Sequence, residues 1–238
     1  MSSIIGKLAA GLVTLTAILA IASSAASAAP CTKVSGGHAT SLCIEGQQAV
    51  PGEEFEYRST LKTGTSIKVA TPSGISVECT SESDNGTARQ ESGFVKFSAG
   101  LTLKNCHVAT PARCAVEHAK EKGAITSEAL TAKTLSPSES RFFPTTGDVF
   151  VKITYTNNGG TCTIAGTEAV STEGKKEGEY GPIVTFAAPE ASELAHSFTF
   201  HKSQTYLEFF EERYTIEGEC TMSMYKHEKA TSWSLFES

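Results

Sequence analysis

Seven cysteines, at positions 31, 43, 79, 106, 114, 162 and 220, are the residues of this sequence best placed to make covalent chemistry. In an oxidising compartment they would pair as disulfides with one thiol left over. Zinc is the rival use of thiolates. No Cys-x-x-Cys pair occurs and the histidines do not sit at ligand spacing with the cysteines, so no metal is expected. A cysteine nucleophile needs its pKa lowered by a nearby base or helix terminus. Cys106 and His107 are adjacent, but consecutive residues of a strand point to opposite faces. A disulfide is therefore the expected role of Cys106.

Carboxylate pairs are the next candidates, since two of them across a cleft can hydrolyse glycosides. Glu208, Glu211 and Glu212 cluster near Phe209 and Phe210, and Glu217 and Glu219 share one side of a strand. Both groups read as solvated, charged faces. Glu82, Asp84 and Asn85 offer oxygens of the kind calcium takes, without the spacing of a calcium-binding loop. A plain hairpin turn at Asp84-Asn85-Gly86 is expected instead. Asn85-Gly86-Thr87 is a formal glycosylation acceptor. His196 shares a face with Phe198 and Phe200 and reads as a hydrogen-bonded core histidine. Gly-x-Ser-x-Gly, a dinucleotide fingerprint and a phosphate loop are absent, and His227-Glu228 lacks the second histidine of a metalloprotease helix. No catalytic residue and no cofactor is assigned. Aromatic rings could stack on sugars, and Tyr57, Tyr155, Tyr180, Tyr206 and Trp233 are available. Of these, Tyr180, in the polar 173–181 loop, is the one expected to face solvent.

The elements that must position these groups read as short strands rich in Val, Ile, Thr, Phe and Tyr, bounded by Gly, Pro, Asn and Asp. They are expected near 53–60, 65–70, 74–80, 93–98, 100–106, 114–119, 123–134, 148–156, 161–171, 183–187, 195–201, 205–210, 213–226 and 232–236. Asp84-Asn85-Gly86 and Asn157-Asn158-Gly159-Gly160 are turn signals, because Asn-Gly tolerates the positive φ of a type I′ turn. Regular short strands predict an all-β protein, an antiparallel β-sandwich or related barrel, stapled by disulfides. Alternation puts Cys79 on the side of Ile75 and Val77, and Cys162 on the side of Ile164. Two inward cysteines on different strands suggest an inter-sheet bridge, Cys79–Cys162. Cys106 and Cys114 would close the Pro111 loop, and Cys31 and Cys43 a local N-terminal one. Cys220, on a face with Tyr214, Ile216, Met222 and Met224, is then a buried free thiol.

Residues 1–28 read as a signal peptide, with Lys7, an apolar stretch over 8–21 and Ala26-Ser27-Ala28 as the cleavage site. Retention as a membrane anchor is the alternative, though the apolar core falls short of the roughly 20 residues a span needs. Cleavage removes one positive charge, taking the formal net charge from −6 to −7. Residues 29–50 form a polar arm and 51–238 the all-β domain, with a division into two subdomains near 135–147 left open. The mildly acidic composition argues against nucleic acid as a partner, and no span is expected after cleavage.

Several stretches resemble a group of secreted, cysteine-containing, β-rich actinobacterial proteins of unknown function. They are Ile75-x-Val-x-Cys79, Cys106 followed by Cys114, Gly123-Ala-Ile-Thr-Ser-Glu-Ala-Leu130 and Phe142-Phe-Pro144. Gly160-Thr-Cys162-Thr-Ile-Ala-Gly166, Phe198-Thr-Phe200 and Gly218-Glu-Cys-Thr-Met222 complete the set. The resemblance covers about 65–236 and implies secretion and a β fold, with no site residues. The expected role is a secreted, non-catalytic structural or adhesive protein of the cell envelope or extracellular space, touching wall, glycan or protein. A glycan- or ligand-binding module is the alternative, and a hydrolase a more distant one.

Overall fold

A computed structural model describes residues 29–34, 39–117, 121–172, 181–200, 207–209 and 212–238. These residues form strands and their connections, in the order β1 (Thr40–Ile44), β2 (Gln47–Gln48), β3 (Glu54–Leu61), β4 (Ile67–Ala70), β5 (Ser76–Glu91), β6 (Phe94–Ala99) and β7 (Thr102–Thr110). There follow β8 (Cys114–Glu117), β9 (Ile125–Thr126), β10 (Leu130–Ser136), β11 (Glu139–Pro144), β12 (Val149–Asn157) and β13 (Gly166–Thr172). The last are β14 (Ile183–Phe186), β15 (Ala195–Phe200), β16 (Leu207–Phe209), β17 (Glu212–Lys226), β18 (Lys229–Thr231) and β19 (Trp233–Glu237).

Alternation explains the strands one by one. β3 buries Phe55, Tyr57 and Ser59 and turns Glu54, Glu56 and Arg58 to solvent. Eight such strands close a ring, β3-β5-β6-β10-β11-β14-β15-β17 and back to β3, antiparallel at every step. The protein is thus a barrel rather than a sandwich. Closure leaves none of these eight with a free edge along its paired length. No described helix is long and apolar enough to cross a membrane.

β5 and β17 are long because each serves twice. Their other halves pair with β4, and from there the ladder runs β5-β7-β9 on one side and β17-β16-β13-β12 on the other. A single bridge, Ser127↔Val151, joins the two arms. This second ring encloses Val69, Leu103, Ile125, Ile153, Leu207 and Ile216 around an apolar cavity of about 20 Å³, room for no more than a water-sized molecule. The first ring is filled by aromatics: Tyr57 meets Phe97 edge-on at 5.7 Å, and Phe186, Phe198 and Phe200 follow one another at 5.7 and 5.8 Å. The 135–147 stretch is the β10–β11 hairpin, paired within ring one.

Three expectations change. Residues 40–44, read as part of a polar arm, are the fully buried strand β1. β1 pairs with β19 and β2 in a small sheet, and Gln90 fastens it to β5 by accepting the Leu42 N–H at 2.7 Å. Asp84-Asn85-Gly86 is not a turn. It lies mid-β5, opposite Ser59, Arg58 and Tyr57; the chain reverses only at Ser92-Gly93, where Gly93 has φ 87°. A local turn preference yields here to the β3 ladder, which pairs every residue from Ser83 to Arg89. Gly86 is required for another reason: a Cβ there would sit 1.7 Å from the Ser98 carbonyl oxygen.

The third change is the disulfide pairing. Cys31–Cys43 is bridged, but Cys79 pairs with Cys106 and Cys114 with Cys162, in place of Cys79–Cys162 and Cys106–Cys114. Alternation identifies the face a cysteine uses, not the strand beside it. Cys79 and Cys106 are directly opposed on β5 and β7, with Cα atoms 4.0 Å apart. β7 pairs with β5 and β8 with β12, so Cys106 and Cys114 diverge after the Pro111 loop. Cys162, in the β12–β13 connection, folds back over the end of β12. There its N–H donates to Asn157 Oδ1 at 2.8 Å, and Asn157 lies opposite Cys114.

Candidate functional site

Glu208 and Glu212, two of the carboxylates singled out for hydrolysis, turn to opposite faces. Glu208 faces Arg213 across β16 and β17, and Glu212 falls on the other face, accepting the Ser73 N–H at 3.0 Å. That bond holds the Glu212 carboxyl below its ordinary value. Glu219 pairs with Lys62 at the surface. His107, on the face opposite Cys106, comes within 3.8 Å of exposed Glu78. Glu211, Tyr180 and Tyr206 lie outside the described residues. Tyr57, Tyr155 and Trp233, three of the rings considered for sugar stacking, are buried. His196 is buried too, with Nε2 2.8 Å from the Trp233 carbonyl oxygen and its ring 4.4 Å from the indole.

The structure brings together instead a group of polar side chains inside ring one, where β3, β5 and β17 meet. Glu82 and Asp84 occupy successive inward positions of β5 and are only 3% and 5% exposed. Tyr57 and Ser59 come from β3, and Cys220 from β17, fully buried. The Tyr57 hydroxyl donates to Asp84 Oδ2 at 2.9 Å, and the Gly100 N–H to Oδ1 at 2.9 Å. Ser59 Oγ donates to Glu82 Oε1 at 2.8 Å. Glu82 Oε2 is buried with no hydrogen-bond partner.

Burial dominates the electrostatics, because a carboxylate withdrawn from water loses its hydration. It pushes the Glu82 carboxyl up to about 7, against the opposing Ser59 hydrogen bond and with help from the nearby Asp84 charge. Asp84 is raised as well, again by burial, while its bonds from Gly100 and Tyr57 pull it back. The Cys220 thiol is driven far above its ordinary value by burial and by Glu82 beside it. A thiol so held is a poor nucleophile. Cys220 is expected to be unreactive toward an aromatic disulfide reagent in the native protein and to titrate as one thiol per chain once the protein unfolds. Rapid native labelling would contradict this placement.

The sequence contained a signal for this cluster. In a continuous strand, Glu82, Asp84, Ala88 and Gln90 share a face, and all four are buried. Reading Asp84-Asn85-Gly86 as a turn broke that strand and hid the face. Elsewhere the surface offers shallow grooves. One of about 410 Å³ lies between β7 and β8, with His107, Lys122 and Asn158 in its lining.

Fold and cluster together define an all-β, closed-barrel protein stapled by three disulfides, with buried acids in its wall. Comparison with protein families, with curated proteins and with solved structures found no match.

Proposed function

We propose that the protein is secreted and works by surface contact, as a structural or adhesive element of the cell envelope or extracellular space. The observation that carries this reading is the way the barrel is spent on itself. Both rings are filled by their own side chains, and three disulfides fasten the fold. Disulfides form and persist in an oxidising setting. A filled, stapled barrel leaves its outer faces and loops as the parts that meet other molecules. The leader-like residues 1–28 and the resemblance to secreted actinobacterial proteins support export from a bacterial cell.

The test is retention of purified protein on source cells, isolated cell wall and insoluble polysaccharides, at low and high salt. Saturable, salt-resistant binding to wall or cells is expected. Saturable binding to a polysaccharide alone would move the reading to a glycan-binding module. Full recovery in the supernatant from every material would overturn both.

A further inference from the structure

We propose that Glu82 and Asp84 form a proton-binding site in the wall of ring one, and that loss of its proton loosens the barrel, making the fold firmest in acid and weakest above neutral pH. This inference is independent of what the outer surface binds.

Two carboxyl groups lie side by side on the inward face of one strand, each more than nine-tenths buried. The groups that face them are neutral. β3 contributes the Ser59 hydroxyl and the Tyr57 phenol, and β17 the Cys220 thiol. The Ser98 carbonyl oxygen meets the same Tyr57 hydroxyl at 3.3 Å, and Gly100 supplies a backbone N–H. Leu103 of β7 is the register partner of Glu82. The charged group that acts on this cluster from outside it is Glu219, which bears on Cys220 and is itself an acid held by Lys62. Two buried anions so close, with no cation among the groups acting on them, are costly, whereas one proton removes both the repulsion and a buried charge.

Hydrogen bonding decides which acid holds the proton. Asp84 accepts from the Tyr57 hydroxyl and the Gly100 N–H, one on each oxygen, and from the Asn85 N–H as well, and can sustain a charge. Glu82 accepts from the Ser59 hydroxyl and from the Cys220 thiol, a weak donor, and its Oε2 has no partner. The proton therefore belongs on Glu82. Its carboxyl is raised by burial from the ordinary 4.5 to about 7. The folded state thus binds a proton that the unfolded chain has released across this window, and stability falls as pH rises. The contribution is complete below about pH 4.5, is lost progressively up to about pH 7, and does not return above it. The rise at Asp84 acts in the same direction.

The deciding experiment follows guanidinium unfolding of the disulfide-intact protein from pH 4 to pH 9 by fluorescence of Trp233, the single tryptophan of the chain. The wild-type unfolding midpoint is expected to drop between pH 4.5 and 7.5, with the folding equilibrium constant falling on the order of a hundredfold. Glu82→Gln, which keeps an acceptor for Ser59 and cannot ionise, should lose most of that drop and exceed the wild type at pH 8. Equal pH slopes in the two proteins would overturn the proposal. Side-chain carboxyl NMR on the wild type needs no variant: one glutamate should titrate near pH 7. All glutamates titrating below pH 5.5 would overturn it equally.

Discussion

Alanine at position 86 is expected to destabilise the protein by about 3 kcal/mol or more, the upper end of what overpacking costs. The added Cβ would lie 1.7 Å from the Ser98 carbonyl oxygen, 2.9 Å from its carbon and 3.1 Å from the Tyr57 ring. The first two are backbone atoms, so no rotamer change relieves the contact. β5 and β6 must move apart where Thr87 pairs with Ser98. Displacing Ser98 also disturbs Tyr57, whose hydroxyl touches both Ser98 and Asp84, so the damage reaches the buried acids. Gly100→Ala is the matched control. A Cβ there meets nothing within 4 Å, φ is not in the left-handed region, and the N–H that serves Asp84 is retained. It should change stability by less than about 0.5 kcal/mol. The check is the guanidinium midpoint of each variant; equal midpoints would show that β5 and β6 are not packed as described.

Removing the Cys114–Cys162 bridge is expected to cost about 4 kcal/mol, the most of the three. The bridges span 12, 27 and 48 residues for Cys31–Cys43, Cys79–Cys106 and Cys114–Cys162. Loop-closure entropy in the unfolded chain then ranks them at about 3, about 3.5 and about 4 kcal/mol. The longest bridge also ties β8, a four-residue strand at the end of the ladder beside β12, to the β12–β13 connection. There, local loosening has few hydrogen bonds to overcome. Each bridge should be removed as a double cysteine-to-alanine replacement, because a single change leaves an odd thiol able to exchange. Unfolding midpoints give the ranking. Peptide mapping without reduction tests the pairing: Cys79 linked to Cys162 would refute the placement of β7 beside β5.

Much of the fold was legible along the chain. Glu54-Phe-Glu-Tyr-Arg-Ser could be read as a strand with Phe55 and Tyr57 inward, because the period of two is written in neighbouring residues. The inward direction of Cys79 and Cys220 followed from the same rule, and both are fully buried. The candidate site was half legible. Its acids were noticed, but as possible ligands in a turn, since Asp-Asn-Gly is a strong local turn signal. β1 was missed because Thr40-Ser-Leu-Cys-Ile44 sits in a polar stretch. Its burial comes from β19, nearly two hundred residues later in the chain.

By itself the sequence determined the all-β class, the face to which most strand residues turn, and a count of cysteines that leaves one thiol unpaired. The first two depend on residues within a few positions of one another, and the third on composition alone. Only the tertiary structure decided that the ladder closes into rings, that Cys79 meets Cys106, and that Glu82 and Asp84 face a thiol and two hydroxyls instead of water. These depend on which strand lies alongside which, and β5 meets β17 through β3 and β4 in contacts that span most of the chain. The period of two fixes a side chain's direction, but the partner it finds there is set by the lowest-energy closure of the whole ladder.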